Sequence, residues 1–232
     1  MIEQTKSVGH DVAADAEKLR RLHVPGDPLV LANVWDPTSA RVVEAAGMRA
    51  IATASNALAP VNGYEDHGHL PPDVAFGALR CIADAVKLPV TADLEDGYGL
   101  SPEDFVDRLA SAGACGALIE DTDHRVGALV DAERNAERIA AIKAAGRARG
   151  FDPVINARID VHFHKAPVPG STWMLMLIAS TRSSSLTHRR YGSTSPSARR
   201  MSFMVRKRSR WVSSLGLVRR GSASVRSCSV SC

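Results

Sequence analysis

Charged side chains follow directly on several short apolar segments of the sequence, the pattern of a site built at strand ends. Asp93 and Glu95 follow one apolar segment, Glu120 follows the next, and Arg158 follows the one after that. Clustered carboxylates repel one another unless a cation lies among them. Oxygen ligands without histidine or cysteine suit Mg²⁺ or Mn²⁺ rather than zinc. Asp93, Glu95 and Glu120 are therefore predicted to hold Mg²⁺ or Mn²⁺; the alternative is that each acid only caps the helix after it.

The elements that must position these acids alternate between strand and helix patterns. Apolar segments that read as strands are Leu29–Ala32, Ala50–Ala54, Leu88–Ala92, Gly116–Ile119 and Pro153–Ala157. Helices are predicted over Asp11–His23, Ser39–Ala46, Pro72–Val86, Pro102–Ala112 and Ala132–Ala148. This alternation predicts an α/β fold with a parallel sheet, either doubly wound or a (β/α)8 barrel. The sequence has no glycine-rich dinucleotide motif and no phosphate-binding loop, which disfavours the nucleotide-binding versions.

Polar residues also follow the first two predicted strands. Trp35 and Asp36 come after the first strand, and Ser55 and Asn56 after the second. In a parallel barrel all strand ends of this kind meet on one rim, where the active sites of barrel enzymes lie. This placement favours the barrel, although Asp36, which precedes Pro37, is predicted to be a helix cap.

Charge divides the sequence into two parts. Residues 1–163 contain all 25 acidic side chains and 16 basic ones, whereas residues 164–232 contain no acid, 13 basic residues and 17 serines. We therefore expect a partial barrel over 1–163 and a basic, Ser/Arg-rich tail over 164–232 that is disordered or derived from a shifted reading frame. Strands six to eight of a barrel are not found in the sequence, so about five βα units are predicted.

Composition excludes several other classes of protein. The longest uninterrupted apolar run, Trp173–Ala179, is far shorter than the roughly 20 residues of a transmembrane helix, so no membrane association is expected. The N-terminus lacks the pattern of a secretory signal, and the four cysteines form neither a disulfide framework nor a zinc motif. We expect a cytoplasmic protein.

Five motifs occur in order between about residue 25 and residue 163. They are Leu31–Ala40 (LANVWDPTSA), Gly63–Asp66 (GYED), Asp93–Gly99 (DLEDGYG), Ile119–Asp121 (IED) and Asn156–Arg158 (NAR). This ordered set resembles the isocitrate lyase/phosphoenolpyruvate mutase family. The resemblance implies a (β/α)8 barrel, a homo-oligomer formed by exchange of a C-terminal helix, and Mg²⁺-dependent chemistry on the C–C or P–C bond of a small 2-oxo or 2-hydroxy acid.

The resemblance also implies a role for individual residues. Asp93, Glu95 and Glu120 would hold the metal, largely through water, with Asp66 nearby. The backbone around Ala54, Ser55 and Asn56 would receive the substrate carboxylate, and Arg158 would pair with the same oxyanion. Trp35 would form a wall of the pocket or pack structurally.

The sequence departs from the family pattern in the segment that follows the fourth strand. Family lyases carry a Lys-x-Cys-Gly-His loop there, and mutase and hydrolase relatives carry a lysine or asparagine; the segment 122–131 has none of these. Cleavage of isocitrate by the cysteine route is therefore not expected. His124 or Arg125 could replace the missing acid, because histidine titrates near neutrality; the alternative is that His124 is a solvated loop residue.

Three functional hypotheses follow from the sequence. The first is a Mg²⁺-dependent lyase or mutase that works through an enolate; decarboxylation, carboxyvinyl-phosphonate transfer and acyl C–C cleavage all stay open. The second is a truncated, inactive relative. The third, which we expect least, is a protein whose basic tail binds nucleic acid through phosphate contacts and aromatic stacking.

Overall fold

The computed structural model describes residues 9–161, 163 and 164, and the backbone of residues 176–179. Five parallel strands lie side by side in chain order: β1 (Ala32–Val34), β2 (Ile51–Thr53), β3 (Val90–Asp93), β4 (Gly116–Glu120) and, after a small hairpin of β5 (Thr122–Asp123) and β6 (Ala128–Leu129), β7 (Val154–Arg158). A further strand, β8 (Met176–Ala179), pairs with β7 in the antiparallel sense. The predicted α/β class is confirmed, with an incomplete barrel-type sheet of five parallel strands in the described part of the chain.

Helices follow each of the first four parallel strands, and one helix precedes β1. They are α1 (Val12–Leu22), α2 (Pro37–Ala45), α3 (Ser55–Val61), α4 (Pro72–Ala83), α5 (Pro102–Ser111) and α6 (Ala132–Ala148). The starts of α1, α2, α5 and α6 are fixed by caps, because a side-chain oxygen satisfies amide groups that have no partner in the first turn. Asp36 accepts a hydrogen bond from the Ser39 amide and completes a capping box, so its predicted role as a helix cap is confirmed. The sequence pattern did not predict α3 or the β5–β6 hairpin.

The two faces of the sheet are buried to different degrees. The outer face, against the helices, carries most of the fully buried strand residues, and six of its side chains are at most 1% exposed: Ile51, Val90, Ala92, Ala117, Ile119 and Ile155. On the opposite, inner face Gly116, Glu120 and Val154 are buried, but most residues are not: Asn33, Ala52, Thr91, Asp93, Leu118, Asn156 and Arg158. The register pairs inner-face residues across the sheet, for example Leu118 with Asn156 and Glu120 with Arg158. The hydrophobic core therefore lies between sheet and helices, and the polar inner face stays partly open.

Most of the predicted tail, residues 164–232, lies outside the described residues. Its limits, its origin and the hypothesis that it binds nucleic acid stay predictions. The two described pieces are His164, which contacts Thr122, and β8, which is a strand where none was predicted. None of the helices in the described part is long and apolar enough to cross a bilayer.

Candidate active site

The carboxyl ends of β3, β4 and β7 bring the predicted acids and Arg158 together. Asp93 is the last residue of β3 and is paired in register with Leu118 of β4, and Glu120 ends β4 opposite Arg158, the last residue of β7. Because alternate residues of a strand share a face, Asp93, Glu120 and Arg158 all lie on the inner face. The site thus stands where the parallel strands end, as the strand-end pattern predicts.

Glu95 lies in a tight turn just beyond β3. Its backbone has a positive φ of 50°, and its side chain is buried, at 1% exposure. The Gly68 amide donates a hydrogen bond to Oε2, and the Tyr98 hydroxyl donates to Oε1 at 3.4 Å. Burial raises the pKa of the Glu95 carboxyl to about 7, and the nearby carboxylates of Asp66 and Glu120 act in the same direction. Glu95 is therefore a buried carboxyl group whose charge its neighbours do not fully offset.

Glu120 is 2% exposed and contacts two cationic groups. Its Oε1 forms an ion pair with Nη2 of Arg158, and its Oε2 lies 2.9 Å from Nε2 of His124. Desolvation nevertheless raises the pKa of the Glu120 carboxyl, because these partners do not fully offset burial beside other acids.

His124 lies between the two buried glutamates. Its Nε2 is 2.9 Å from Glu120 and 3.8 Å from Glu95 Oε2, and its side chain is only 10% exposed. The hydrogen bond to Glu120 raises the pKa of the imidazole, which favours the protonated form. The alternative of a solvated loop histidine does not match this burial. Arg125, the other candidate acid, pairs with Asp123 and is 74% exposed.

Asp93 is held by backbone groups rather than by other side-chain charges. Its Oδ2 accepts a hydrogen bond from the Ser55 amide at 3.1 Å, and its own amide donates to Thr53 Oγ1 at 3.0 Å. These bonds tie the end of β3 to the end of β2. The Ser55 amide, expected to be free for a substrate carboxylate, is therefore engaged by Asp93. Ala54 and Ser55 are buried, and Asn56, on the first turn of α3, is exposed.

Asp66 and Trp35 differ in how they relate to this cluster. Oδ1 of Asp66 is buried and has no hydrogen-bond partner among the described residues, and its charge raises the pKa of Glu95. Trp35 follows β1, two strands away from β3, and is 43% exposed. It does not line the cavity beside Glu120 and Arg158, and the structure thus groups Asp66, but not Trp35, with the acids.

Carboxylates exceed cations at this site, which is the chemistry of a site for a hard divalent ion. Glu95 and Glu120 are both within reach of one point near His124 Nε2, and Asp66 adds a buried Oδ1 that no described residue contacts by a hydrogen bond. These oxygens fit Mg²⁺ or Mn²⁺ in kind. No ready-made group of three His, Cys, Asp or Glu ligands is found within residues 9–161, 163 and 164. A metal would therefore have to compete with His124 for the two glutamates.

A cavity of about 280 Å³ opens beside Glu120 and Arg158. Histidines 67, 69, 124 and 164 line it together with Phe163. The rings of His67 and His124 lie 5.8 Å apart, so the loop that carries His67 closes over the buried glutamates. The cavity has room for a small acid.

Sequence reasoning missed several residues that support the site. Arg138 of α6 donates hydrogen bonds to the backbone oxygens of Asp96 and Glu120, which fixes the ends of β3 and β4. Tyr98 and the loop residues His67 and Gly68 were also missed, because their contacts depend on chain reversals that no periodicity reveals. Asp160, two residues beyond the end of β7, is not among the predicted site residues.

Comparisons with known proteins agree with this fold. A family model described as phosphoenolpyruvate phosphomutase matches residues 19–172. An uncharacterized protein of Mycobacterium tuberculosis is 34% identical over 142 residues, which are 61% of this chain and 52% of the relative. The chloroplastic carboxyvinyl-carboxyphosphonate phosphorylmutase of Arabidopsis thaliana is 32% identical over 128 residues, 50% of this chain and 38% of that protein. The chain therefore spans about half or less of the length of these curated relatives.

Solved structures extend the comparison. A Burkholderia cenocepacia protein assigned as a phosphonomutase is 44% identical, with a TM-score of 0.61 over 66% of this chain and 63% of that chain. A 2,3-dimethylmalate lyase is 30% identical, with a TM-score of 0.58, and the match covers 65% of this chain and 55% of that chain. A phosphonopyruvate hydrolase solved with oxalate and Mg²⁺ is 26% identical, with a TM-score of 0.58, and the match covers 66% of this chain and 55% of that chain. Because the family model covers more than half of the sequence and the carboxylate-rich strand ends stand where the motifs predict them, this chain belongs to the phosphoenolpyruvate mutase/isocitrate lyase family.

Proposed function

We propose that this protein is a Mg²⁺-dependent lyase or mutase that cleaves or rearranges a C–C or P–C bond of a small 2-oxo or 2-hydroxy carboxylic acid. The observation that carries the proposal is the convergence of Glu95 and Glu120 on His124 Nε2, with Arg158 beside them. Family membership supports an enzyme that acts on small acids, and the hydrolase relative binds oxalate with Mg²⁺.

The acids at the strand ends are the residues that would hold the metal. Asp93, Glu95 and Glu120 would do so, with Asp66 in support. Bound Mg²⁺ would act as a Lewis acid that stabilises the negative charge of an enolate. On cleavage of the bond β to the carbonyl, the electron pair would pass into that enolate, and the other fragment would leave as the electron-poor carbonyl or phosphoryl group.

Arg158 and His124 supply the remaining chemistry. The Arg158 guanidinium would donate charge-assisted hydrogen bonds to a substrate carboxylate or to the enolate oxygen. His124, with its raised imidazole pKa, would deliver a proton or stabilise negative charge where family lyases use a cysteine. The cavity of about 280 Å³ limits the substrate to a small acid.

A calorimetric titration of oxalate with and without Mg²⁺ tests this proposal. Wild type should bind oxalate only with Mg²⁺, and Glu120→Gln should bind roughly a hundredfold more weakly, because loss of a buried charged partner costs about 3 kcal/mol. Glu103→Gln, which changes an exposed acid on α5, is the matched control and should bind like wild type. Oxalate binding without Mg²⁺, or unchanged binding by Glu120→Gln, would disprove the assignment.

A second candidate function, an inactive member of the family, is favoured by the partly open inner face of the sheet. Asn33, Thr91 and Asn156 on that face are not fully covered by the described residues. Amide hydrogen exchange separates the two candidates. Mg²⁺ should slow exchange at residues 93–97 and 119–121 in an active protein and should leave it unchanged in an inactive one.

A further inference from the structure

Asp160 and Arg158 form a paired unit at the end of β7. Nε of Arg158 donates to Asp160 Oδ1 at 2.7 Å, and Nη2 donates to Asp160 Oδ2 at 3.1 Å. Asp160 is 5% exposed, so this two-point contact is shielded from water. A buried, bidentate contact of this kind fixes the plane of the guanidinium as well as its position.

Asp160 is itself held by the segment that follows β4. The Thr122 hydroxyl donates to Asp160 Oδ2 at 2.8 Å and accepts a hydrogen bond from His164 Nε2 at 2.9 Å. The Asp160 amide donates to Oδ1 of Asp121 at 2.7 Å. Asp160 is therefore anchored through both its side chain and its backbone, and it cannot turn without breaking these bonds.

These contacts determine which part of the guanidinium can meet a ligand. Nε is taken by Asp160, and Nη2 is shared between Asp160 and Glu120. Nη1 donates to no residue in the described part of the chain, and Arg158 lines the cavity. Only the Nη1 end of Arg158 is left to meet an incoming oxyanion.

We propose that Asp160 is a positioning residue that aligns Arg158 so that Nη1 alone donates to the carboxylate or enolate oxygen of the substrate. This inference rests on the proposed function and adds that Arg158 makes an end-on contact rather than a two-point contact through Nε and Nη2. The ligand class is a small carboxylate whose oxygen approaches Nη1.

The Asp123–Arg125 pair in the β5–β6 hairpin is a natural control. It has the same connectivity, with Nε and Nη2 of Arg125 donating to Asp123 at 3.0 and 2.8 Å, but Arg125 is 74% exposed. Asp123→Asn therefore removes the same kind of contact on the surface. It should change neither the site nor oxalate binding.

NMR of the arginine Nε–H groups in the full chain tests the positioning without any ligand. The Arg158 Nε–H should exchange slowly with solvent in wild type and rapidly in Asp160→Asn, whereas the Arg125 Nε–H should exchange rapidly in both. Rapid exchange of Arg158 in wild type would refute the inference. This readout stands even if oxalate does not bind, an outcome that would count against the proposed function alone.

Calorimetry with oxalate and Mg²⁺ then asks whether Asp160 acts through Arg158. Asp160→Asn should weaken binding about tenfold, the equivalent of losing one hydrogen bond to a charged group. In an Arg158→Lys background, Asp160→Asn should weaken oxalate binding by less than about a further twofold, because the effects of two residues that act through one contact do not add. If the effects of the two substitutions on oxalate binding added fully, or if Asp160→Asn bound oxalate as tightly as wild type, the proposal would be overturned.

Discussion

Charged side chains collect at both ends of the parallel strands, but every acid of the cluster at one end is paired with a cation, whereas acids outnumber cations at the other end. At the amino end, Lys143 of α6 and Arg20 of α1 both contact Asp152, at 2.5 and 3.1 Å, and Arg20 also contacts Glu17 at 2.7 Å. At the carboxyl end, acids outnumber cations around Glu95 and Glu120. Matched charges hold elements together at the amino end, whereas the carboxyl end has an excess of acids.

The largest effect should come from breaking the ion pairs at the amino end. Asp152→Ala removes the carboxylate that Lys143 and Arg20 share, and it leaves Lys143, which is 5% exposed, without its ion pair. Because an uncompensated buried charge is strongly unfavourable, we expect the free energy of unfolding to fall by about 4 kcal/mol.

Urea denaturation at pH 7 measures this loss. Asp107→Ala, which breaks an exposed pair with Arg149, is the control and should cost no more than about 1 kcal/mol. If both variants lost the same free energy of unfolding, the ion pairs of Asp152 would contribute no more to stability than an exposed surface pair.

At the carboxyl end, removing a charge should stabilise the protein. The pKa of Glu95 is raised to about 7 in the folded state from an ordinary value of 4.5. The folded state therefore binds the proton more tightly, and stability falls as the pH rises from 4.5 to 7. Glu95→Gln should abolish this fall, so that at pH 8 the variant is more stable than wild type by roughly 3 kcal/mol, with no difference near pH 4.

Urea denaturation between pH 4 and pH 8.5, with and without Mg²⁺, measures this effect. Mg²⁺ should reduce the difference, because the ion replaces the proton as the partner of the carboxylate. The exposed-acid variant Glu103→Gln should follow the wild-type pH curve. If the free energy of unfolding of wild type and of Glu95→Gln changed in parallel with pH, the charge of Glu95 would not destabilise the folded protein, and the idea of excess acids at this end would be contradicted.

A smaller effect should come from Gly68, which lies in the loop that also carries His67 and whose amide contacts Glu95. Gly68 has a φ of +82°, and a Cβ there would lie 2.8 Å from His124 Cβ. Gly68→Ala should therefore lower stability by about 2 kcal/mol, through left-handed strain and displacement of His124, and should weaken oxalate binding.

Gly63 provides the matched control for that substitution. Its φ is +83°, but a Cβ there meets nothing within 4 Å. Gly63→Ala should cost only the left-handed strain, about 1 kcal/mol, and should leave oxalate binding unchanged. If both variants bind oxalate equally well, the approach of Gly68 to His124 does not matter to the site.

The parallel order of strands and the meeting of Asp93, Glu120 and Arg158 could be predicted because both follow from local signals. Apolar segments mark the strands, and residues directly after them must stand at one edge of a parallel sheet. The first strand was predicted at Leu29–Ala32 but lies at Ala32–Val34, since Val30 is 69% exposed and does not join the sheet.

The other parts of the site depend on chain reversals. Glu95 and His67 both have positive φ values, of 50° and 67°, although neither is glycine, so sequence propensity gives no warning of the turns that place them. His124 reaches the glutamates because the β5–β6 hairpin folds back over the end of β4. Such tertiary contacts override local preference. The contacts of Asp160 are also tertiary, because its partners Thr122 and Asp121 come from a distant segment of the chain.

The antiparallel direction of β8 has a consequence for how the sheet can grow. Residues 176–179 use the hydrogen-bonding groups of β7 that the next parallel strand of a barrel would need. On that side, any parallel extension must first displace β8. Additional strands, whether from this chain or from a second molecule, would meet a backbone edge without a described neighbour beside β1 at one end of the sheet and beside β8 at the other.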